Sequence, residues 1–274
     1  MTKVADLASG KGHDDENFPV ASFLLRPEAR VPVMAFYRFA RAADDIADNP
    51  ALGPQAKLAL LAALRDGLSG EGAVEAMALR EVMAARRIDP IHAHELLDAF
   101  FSDVTKTRCR DWDDLIGYCR LSAMPVGRYV LDVHGESRDL WPASDALCAA
   151  LQIINHLQDC AKDYRGLGRV YIPLDTGVEP DDLLCDRATT ALRAIITALV
   201  ARTRELLARS KGFSAAIRDR RLAAEVSVIH RLAESLCDRL ESRDPLSERV
   251  HHGKFEAAWL ALGAAIPSLL RRAS

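Results

Sequence analysis

The apolar residues of this chain recur at helical spacing, and no alternating strand pattern extends beyond a few residues. Alanine, leucine and arginine dominate, and runs of β-branched residues are short. The pattern therefore predicts an all-α protein. Helices are predicted at residues 28–48, 54–69, 73–87, 90–104, 111–135, 143–165, 187–210, 213–241 and 254–272.

Two interruptions stand out in this helical pattern. Pro125 falls inside the 111–135 segment and should kink or break it, because proline cannot donate a helix hydrogen bond. Residues 166–182 form the longest stretch without helical character and have the glycine and proline content of a functional loop. No repeat or linker divides the chain. The sequence predicts a single domain over residues 1–274, with residues 1–16 flexible.

Composition limits the possible functions. The chain has 274 residues, of which 49% are hydrophobic and 27% charged, as in soluble globular proteins. The net charge is −3 and the arginines are scattered, so no nucleic-acid partner is predicted. The six cysteines form no CxxC pair, which favours buried, reduced thiols. The histidine pairs at 92/94 and 251/252 are interpreted as surface residues, whereas His156 lies beside a candidate site.

Neither end of the chain predicts a spanning helix. The first twenty residues contain no apolar signal region, and the charge-free run 257–270 is too short to cross a bilayer. A cytoplasmic protein is predicted. The C-terminal run, which contains Trp259 and ends at Arg271 and Arg272, also suits an interfacial helix at the inner membrane. Packing of this helix on the domain core is the alternative. The sequence leaves the oligomeric state open.

Two stripes of polar side chains carry the candidate chemistry. In the first, Tyr37, Arg41, Asp44 and Asp48 are spaced so that they share one helix face, with Asp45 beside them. The second stripe consists of Gln152, Asn155, Asp159 and Asp163. Solvated helix faces are the plainer interpretation of either stripe alone.

Carboxylates near the C-terminal end of a helix oppose the helix dipole, and like charges at i,i+4 repel. Both stripes have these two unfavourable features, which suggests that a bound cation compensates for them. Oxygen-only ligands suit Mg²⁺, which typically takes one or two carboxylates and completes its shell with water and substrate phosphate. Arg41 adds a cation suited to phosphate oxygens. The pattern predicts a diphosphate site.

At these residues the chain resembles the squalene/phytoene synthase family. The two family motifs appear as "YRFARAADDIAD" and "QIINHLQDCAKDYRGLGRVYIP", with "YCRLSAMPVGRYVL" between them. The resemblance implies a helical isoprenoid-synthase bundle around a central cavity, in which the two aspartate motifs bind Mg²⁺ and the substrate diphosphate. It implies metal ligation by Asp44, Asp45, Asp48, Asp159 and Asp163. It also implies catalytic roles for Tyr37, Arg41, Tyr118 and Asn155. Substrate contacts are implied for Ser22, Phe23, Arg41, Gln152, Asn155, Arg169 and Tyr171.

Within the family, "ENFPVASFLLRPEAR" and "YCRLSAMPVGR" are similar to the bacterial branch that makes hydroxysqualene for hopanoids. That branch implies ionisation of presqualene diphosphate, rearrangement of the cation and capture by water, without NADPH. The alternative is a head-to-head transferase that joins two prenyl diphosphates to presqualene diphosphate, phytoene or dehydrosqualene. A non-catalytic helical scaffold is a third hypothesis, which the intact aspartates disfavour.

Overall fold

The computed structural model describes residues 25–253 and, beyond them, residues 256, 258, 260, 261, 264 and 265. The described residues are mostly helical and contain no strand longer than an isolated bridge, so the all-α prediction is confirmed. The helices are α1 Pro27–Ala47, α2 Pro54–Ser69, α3 Val74–Arg86, α4 Ile91–Asp103, α5 Trp112–Ser122, α6 Met124–Val133, α7 Trp141–Gln158, α8 Cys160–Leu167, α9 Thr190–Arg209, α10 Phe213–Ala216 and α11 Arg220–Ser242.

The chain divides into two compact units. The first comprises the residues up to Lys106 and Leu121–Arg138, and the second comprises Thr107–Arg120 and the residues from Asp139 onward. This division does not test the prediction of one domain, which stays a prediction. The flexible segment predicted at 1–16 lies outside the described residues.

In the first unit, α1 packs against α2, α3, α4 and α6. Its buried face presents Phe36, Phe39, Ala43 and Ile46, which recur every three or four residues as an amphipathic helix requires. Leucines of α2, α3 and α4 complete this core. The opposite side of α1 is thereby left for the polar stripe.

Pro32 lies inside α1 and removes one helix donor, so the carbonyl of Glu28 loses its usual i+4 partner. The guanidinium of Arg86 on α3 donates to that carbonyl instead. One turn further along α1, the Tyr129 hydroxyl donates to the carbonyl of Pro32 at 3.1 Å, and its ring stacks on Phe36. The N-terminal half of α1 is therefore held by α3 and α6, although proline would weaken it in isolation.

The second unit is built on α7, which packs against α9 and α11. Residues 107–109, which precede α5, hold the segment 166–182 in place. The Val170 N–H donates to Thr107 O at 2.9 Å, and the Cys109 N–H donates to Val170 O at 3.3 Å. The Leu174 N–H also donates to Cys109 O at 3.0 Å. These bonds fix the chain on both sides of Tyr171, so the predicted loop has a defined backbone with two short 3-10 turns, Leu174–Thr176 and Pro180–Leu184.

Three predicted helices are interrupted. The 111–135 segment breaks at Ala123, as Pro125 predicts, and α6 begins one residue before the proline. The prediction of one continuous helix at 143–165 is wrong, because the backbone leaves helical geometry at Asp159, between α7 and α8. The helix predicted at 213–241 is also wrong: it divides at Ile217–Asp219, and the Asp219 carboxylate caps α11 by accepting from the N–H groups of Arg221 and Leu222. Most of the helix predicted at 254–272 lies outside the described residues.

The prediction of buried thiols holds for four cysteines and fails for one. Cys109, Cys119, Cys160 and Cys237 are buried, Cys148 is half-buried and Cys185 is exposed. In the part of the chain that the structure describes, no helix combines the length and apolar character needed to cross a membrane.

Candidate active site

The α1 stripe forms an ion-paired group. The two terminal nitrogens of Arg41 lie 2.7 Å from Asp44 Oδ2 and 2.7 Å from Asp45 Oδ1. The spacings i,i+3 and i,i+4 bring these side chains together on a helix. Arg41 and Asp45 are largely buried, whereas Asp44 is one-third exposed. The guanidinium thus holds two adjacent carboxylates that would otherwise repel one another.

Asp48 is the residue that ends α1, and its N–H donates to Asp44 O at 2.9 Å. It continues the helical path of the stripe by one turn. Tyr37 lies one turn before Arg41 and is half-buried. The four residues of the first stripe therefore follow one side of α1, with Asp45 beside them, although the structure does not test their roles.

Asp159 lies at the bend between α7 and α8, but the helical hydrogen bonds continue through it. Its N–H donates to Asn155 O at 2.9 Å, and the Asp163 N–H donates to Asp159 O at 2.8 Å. The Asp159 carboxylate faces the Lys162 ammonium, with Nζ at 3.3 Å, and the His251 imidazole, with Nε2 at 3.5 Å. Asn155, Asp159 and Asp163 therefore still follow one another at helical spacing across the bend.

An aromatic cluster adjoins this stripe. The imidazole of His156 stacks on Tyr171, with ring centroids 3.6 Å apart and 18° between the planes. Tyr118 contacts both rings, and its hydroxyl oxygen lies 3.4 Å from that of Tyr171. Electron-rich faces of this kind stabilise a cation without reacting with it. The cluster joins α5, α7 and the segment 166–182.

Polar contacts fix the edges of His156. Its Nε2 lies 3.1 Å from the amide nitrogen of Gln152, and its Nδ1 lies 4.0 Å from Asp163 Oδ2. Burial lowers the pKa of His156 below its usual value, and this effect outweighs the opposing attraction to Asp163 and Asp159. Burial therefore favours the neutral imidazole over the charged form.

Arg169 supplies a buried cation next to this group. It is 7% exposed, and its positive charge also lowers the pKa of His156. Gly168, whose φ of 66° suits glycine, ends α8 and turns the chain so that the Arg169 N–H donates to Asp163 O at 3.3 Å. Asn155 is half-buried on α7. Ser22 and Phe23, the other predicted substrate contacts, lie outside the described residues.

The donor set fits Mg²⁺ in one binding mode. The candidate ligands are carboxylates, which are the oxygen donors that Mg²⁺ prefers. Among the described residues, however, no three His, Cys, Asp or Glu side chains form a preassembled metal site. Each carboxylate keeps acceptor capacity beyond its ion pair, because an ionised carboxylate offers about four lone-pair positions. The residues therefore fit an ion whose shell is completed by water and substrate phosphate.

One histidine differs from its predicted surface position, and another, one-third exposed, contacts a candidate ligand. His92 is fully buried and contacts Asp132 Oδ2 at 3.1 Å, which the sequence did not indicate. His251 contacts Asp159 from a segment 92 positions along the chain, and only tertiary folding brings the two together. His156 is the one histidine that the sequence placed beside the site, and the structure places it there.

Comparison with known proteins identifies the family. The sequence model that describes the squalene/phytoene synthase family matches residues 12–256 of this chain. The chain belongs to this family. This finding agrees with the resemblance of the two aspartate motifs.

Two relatives extend over nearly the whole chain. A hydroxysqualene synthase of Zymomonas mobilis is 54% identical over 95% of this chain and 91% of its own. A hydroxysqualene synthase of Rhodopseudomonas palustris is 50% identical over 99% of this chain and 95% of its own. Among solved structures, a squalene synthase from Alicyclobacillus acidocaldarius is 29% identical, with a TM-score of 0.73, and the match covers 87% of this chain and 92% of that one.

Proposed function

We propose that this enzyme converts presqualene diphosphate and water to hydroxysqualene and diphosphate. The observation that carries the proposal is the near full-length similarity, at 54% and 50% identity, to two proteins named hydroxysqualene synthase. The ion-paired aspartates of α1 and the aromatic cluster around His156 support it. They offer the two functions that the reaction needs, stabilisation of a leaving diphosphate and of a carbocation.

Arg41 is suited to bind the leaving group. Its guanidinium is held by Asp44 and Asp45, so its orientation is set before substrate arrives. A preorganised cation of this kind stabilises negative charge that develops on a diphosphate oxygen. Tyr37 and Asn155, both half-buried beside charged residues, are proposed to contact the reacting groups.

Tyr118 and Tyr171 are proposed to line the path of the cation. Their rings contact one another at a centroid distance of 5.2 Å and present electron-rich faces rather than nucleophiles. Exclusion of water by such walls limits which nucleophile reaches the cation. Arg169 is proposed to bind a diphosphate oxygen, since it is a buried cation near His156 and a guanidinium matches the geometry of phosphate oxygens.

Mg²⁺ is proposed to bind at Asp44, Asp45, Asp48, Asp159 and Asp163 together with the substrate diphosphate. When bound, the ion neutralises charge on the leaving diphosphate. Treatment with EDTA should abolish turnover, and added Mg²⁺ should restore it. Full turnover in EDTA would contradict the metal assignment.

The deciding experiment uses two substrates in separate incubations with Mg²⁺ and without NADPH. Presqualene diphosphate alone should give hydroxysqualene, identified by mass spectrometry. If the enzyme instead condenses farnesyl diphosphate and ignores presqualene diphosphate, the head-to-head transferase is correct and the proposed reaction is wrong. A requirement for NADPH would also contradict the proposal.

We also propose reversible contact with an anionic membrane surface, because both substrate and product are long hydrocarbons. Five exposed basic residues lie within thirteen positions between the end of α9 and the start of α11: Arg209, Lys211, Arg218, Arg220 and Arg221. A basic cluster near an anionic bilayer contributes about 1 kcal/mol per Lys or Arg. The C-terminal run 257–270, the other candidate for this contact, includes residues outside the described part of the chain.

Sedimentation with phosphatidylglycerol vesicles tests the membrane contact. The variant K211Q/R218Q/R221Q should bind these vesicles less than the control R80Q/R110Q/R187Q, which removes three exposed charges elsewhere. Neutral phosphatidylcholine vesicles should bind both variants equally. Equal binding of the two variants to phosphatidylglycerol would exclude this surface.

A further inference from the structure

The contact between Gln152 and His156 determines the position of one proton. The atoms that meet at 3.1 Å are the amide nitrogen of Gln152 and Nε2 of His156. An amide nitrogen only donates hydrogen bonds, so His156 Nε2 must accept and cannot carry a proton. A neutral imidazole with a bare Nε2 carries its hydrogen on Nδ1.

The other edge of the ring agrees with this tautomer. His156 Nδ1 faces the carboxylate of Asp163, with Nδ1 and Oδ2 4.0 Å apart. A hydrogen on Nδ1 is attracted to the carboxylate, whereas a lone pair there would be repelled. Stacking on Tyr171 at 3.6 Å prevents the ring from tilting. His156 is thus held in one orientation, with Nε2 toward Gln152 and Nδ1 toward Asp163.

This arrangement fixes Gln152 as well. Its amide nitrogen is directed to His156, which leaves the carbonyl oxygen for a different partner. Within the part of the chain that the structure describes, this oxygen has no hydrogen-bond partner, although Gln152 is half-buried. A half-buried acceptor on a side chain that contacts His156, whose ring stacks on Tyr171, is suited to a water molecule.

We propose that the carbonyl oxygen of Gln152 orients the water that captures the carbocation, and that His156 is the positioning residue that holds Gln152 in this orientation. The proposal rests on the proposed function and names the residues that direct its final step. Water reacts through an oxygen lone pair, so its hydrogens must be bound to acceptors on the side away from the carbon. A neutral amide oxygen provides such an acceptor without the charge that would trap the cation.

The bonds and charges of the step balance. A new C–O bond forms between the water oxygen and the cationic carbon, and the oxygen then loses one proton. The released diphosphate, a multiply charged base, accepts that proton, while Gln152 accepts only a hydrogen bond. Without an oriented water, the cation instead loses a proton from a neighbouring carbon and gives a C30 hydrocarbon. The ratio of alcohol to hydrocarbon therefore reports the orientation of the water.

The test measures this ratio with presqualene diphosphate and Mg²⁺. His156→Phe keeps an aromatic ring for the stack but removes the Nε2 acceptor, and Gln152→Leu removes the carbonyl oxygen itself. In both variants the alcohol-to-hydrocarbon ratio should fall about tenfold, which corresponds to about 1.4 kcal/mol between the competing steps. His156→Gln, whose amide oxygen can accept at the position of Nε2, should recover part of the alcohol. Circular dichroism checks that each variant is folded.

The outcomes separate the two proposals. An unchanged product ratio in a folded Gln152→Leu enzyme would overturn the inference while leaving the proposed function intact. A shift in Gln152→Leu without any shift in folded His156→Phe would reject the role of His156. If the wild-type enzyme gives no alcohol from presqualene diphosphate, the proposed function itself fails.

Discussion

The imidazole of His156 and the ring of Tyr171 lie nearly parallel, with centroids 3.6 Å apart, although the residues belong to α7 and to the irregular segment after α8. Two backbone hydrogen bonds between residues 107–109 and Val170 hold Tyr171 in this place. The stack therefore links the second aspartate stripe to a segment that has no regular secondary structure of its own. A defect in the stack should be detectable in both stability and activity.

The first prediction concerns Tyr171. Tyr171→Ala should lower the free energy of unfolding by about 1–3 kcal/mol, because the half-buried ring and its contacts with His156 and Tyr118 are lost. Tyr171→Phe should cost less than about 1 kcal/mol, since the ring and its stack remain while the 3.4 Å hydroxyl contact with Tyr118 is lost. Urea denaturation measures both values. Equal destabilisation by the two variants would mean that the hydroxyl, rather than the stack, holds the segment.

The second prediction concerns Arg41. Arg41→Ala should reduce kcat by about 10²-fold, because it removes a preorganised cation and leaves Asp44 and Asp45 to repel each other. Arg41→Lys should recover little of this loss, since one ammonium cannot reproduce two contacts of 2.7 Å made by separate nitrogens. Release of diphosphate from presqualene diphosphate gives the rates. Near-normal activity of Arg41→Lys would show that charge alone suffices.

Local spacing made the α1 site predictable from the sequence. Arg41 meets Asp44 and Asp45 because residues three and four apart are neighbours on any helix. The His156–Tyr171 stack could not be inferred in this way. It depends on the pairing of residues 107–109 with Val170, for which no local signal exists.

The helix breaks show the same limit. No proline or glycine lies at the interruption at Asp159, and the helical spacing of apolar residues in the sequence continues through it. The sequence therefore predicted one continuous helix. The break before α11 did have a signal. Asp219 precedes the helix as an N-cap residue, and recognising it would have separated α10 from α11.

The third prediction tests the candidate metal ligands. Asp48→Asn and Asp159→Asn should each remove most turnover with Mg²⁺ while leaving helix content near that of the wild type. Both residues are half-buried, and neither belongs to the hydrophobic core. Kinetics and circular dichroism measure the two effects. A matched change, Asp98→Asn, alters an exposed aspartate paired with Arg65 and should leave turnover unchanged.

The fourth prediction concerns thiol reactivity. Burial raises the pKa of Cys160 and of Cys237 to about 12, and it raises that of Cys119 further, so their reactive thiolates are scarce near neutral pH. Cys185 is exposed and should react first with iodoacetamide. Peptide mapping by mass spectrometry identifies the modified residue. A Cys185→Ser enzyme should label much more slowly in the native state and at the usual rate for its other thiols after unfolding.

The last prediction concerns stability in acid. Burial and the positive charge of Arg239 lower the pKa of His252 below its usual value of 6.5, so the folded protein binds this proton less readily than the unfolded chain does. The contribution of His252 to stability is therefore constant above about pH 6.5, decreases as the pH falls below that value, and levels off below the folded-state pKa.

The segment that carries His252 also carries His251, which contacts Asp159 at 3.5 Å, so its loosening would reach the candidate site. His252→Gln can keep a hydrogen bond to Ser235, which lies 3.0 Å from His252 Nε2, but it does not titrate. Between pH 7 and pH 5.5, the urea midpoint should therefore fall more for the wild type than for His252→Gln. Parallel decreases in the two proteins would assign the acid sensitivity to other groups.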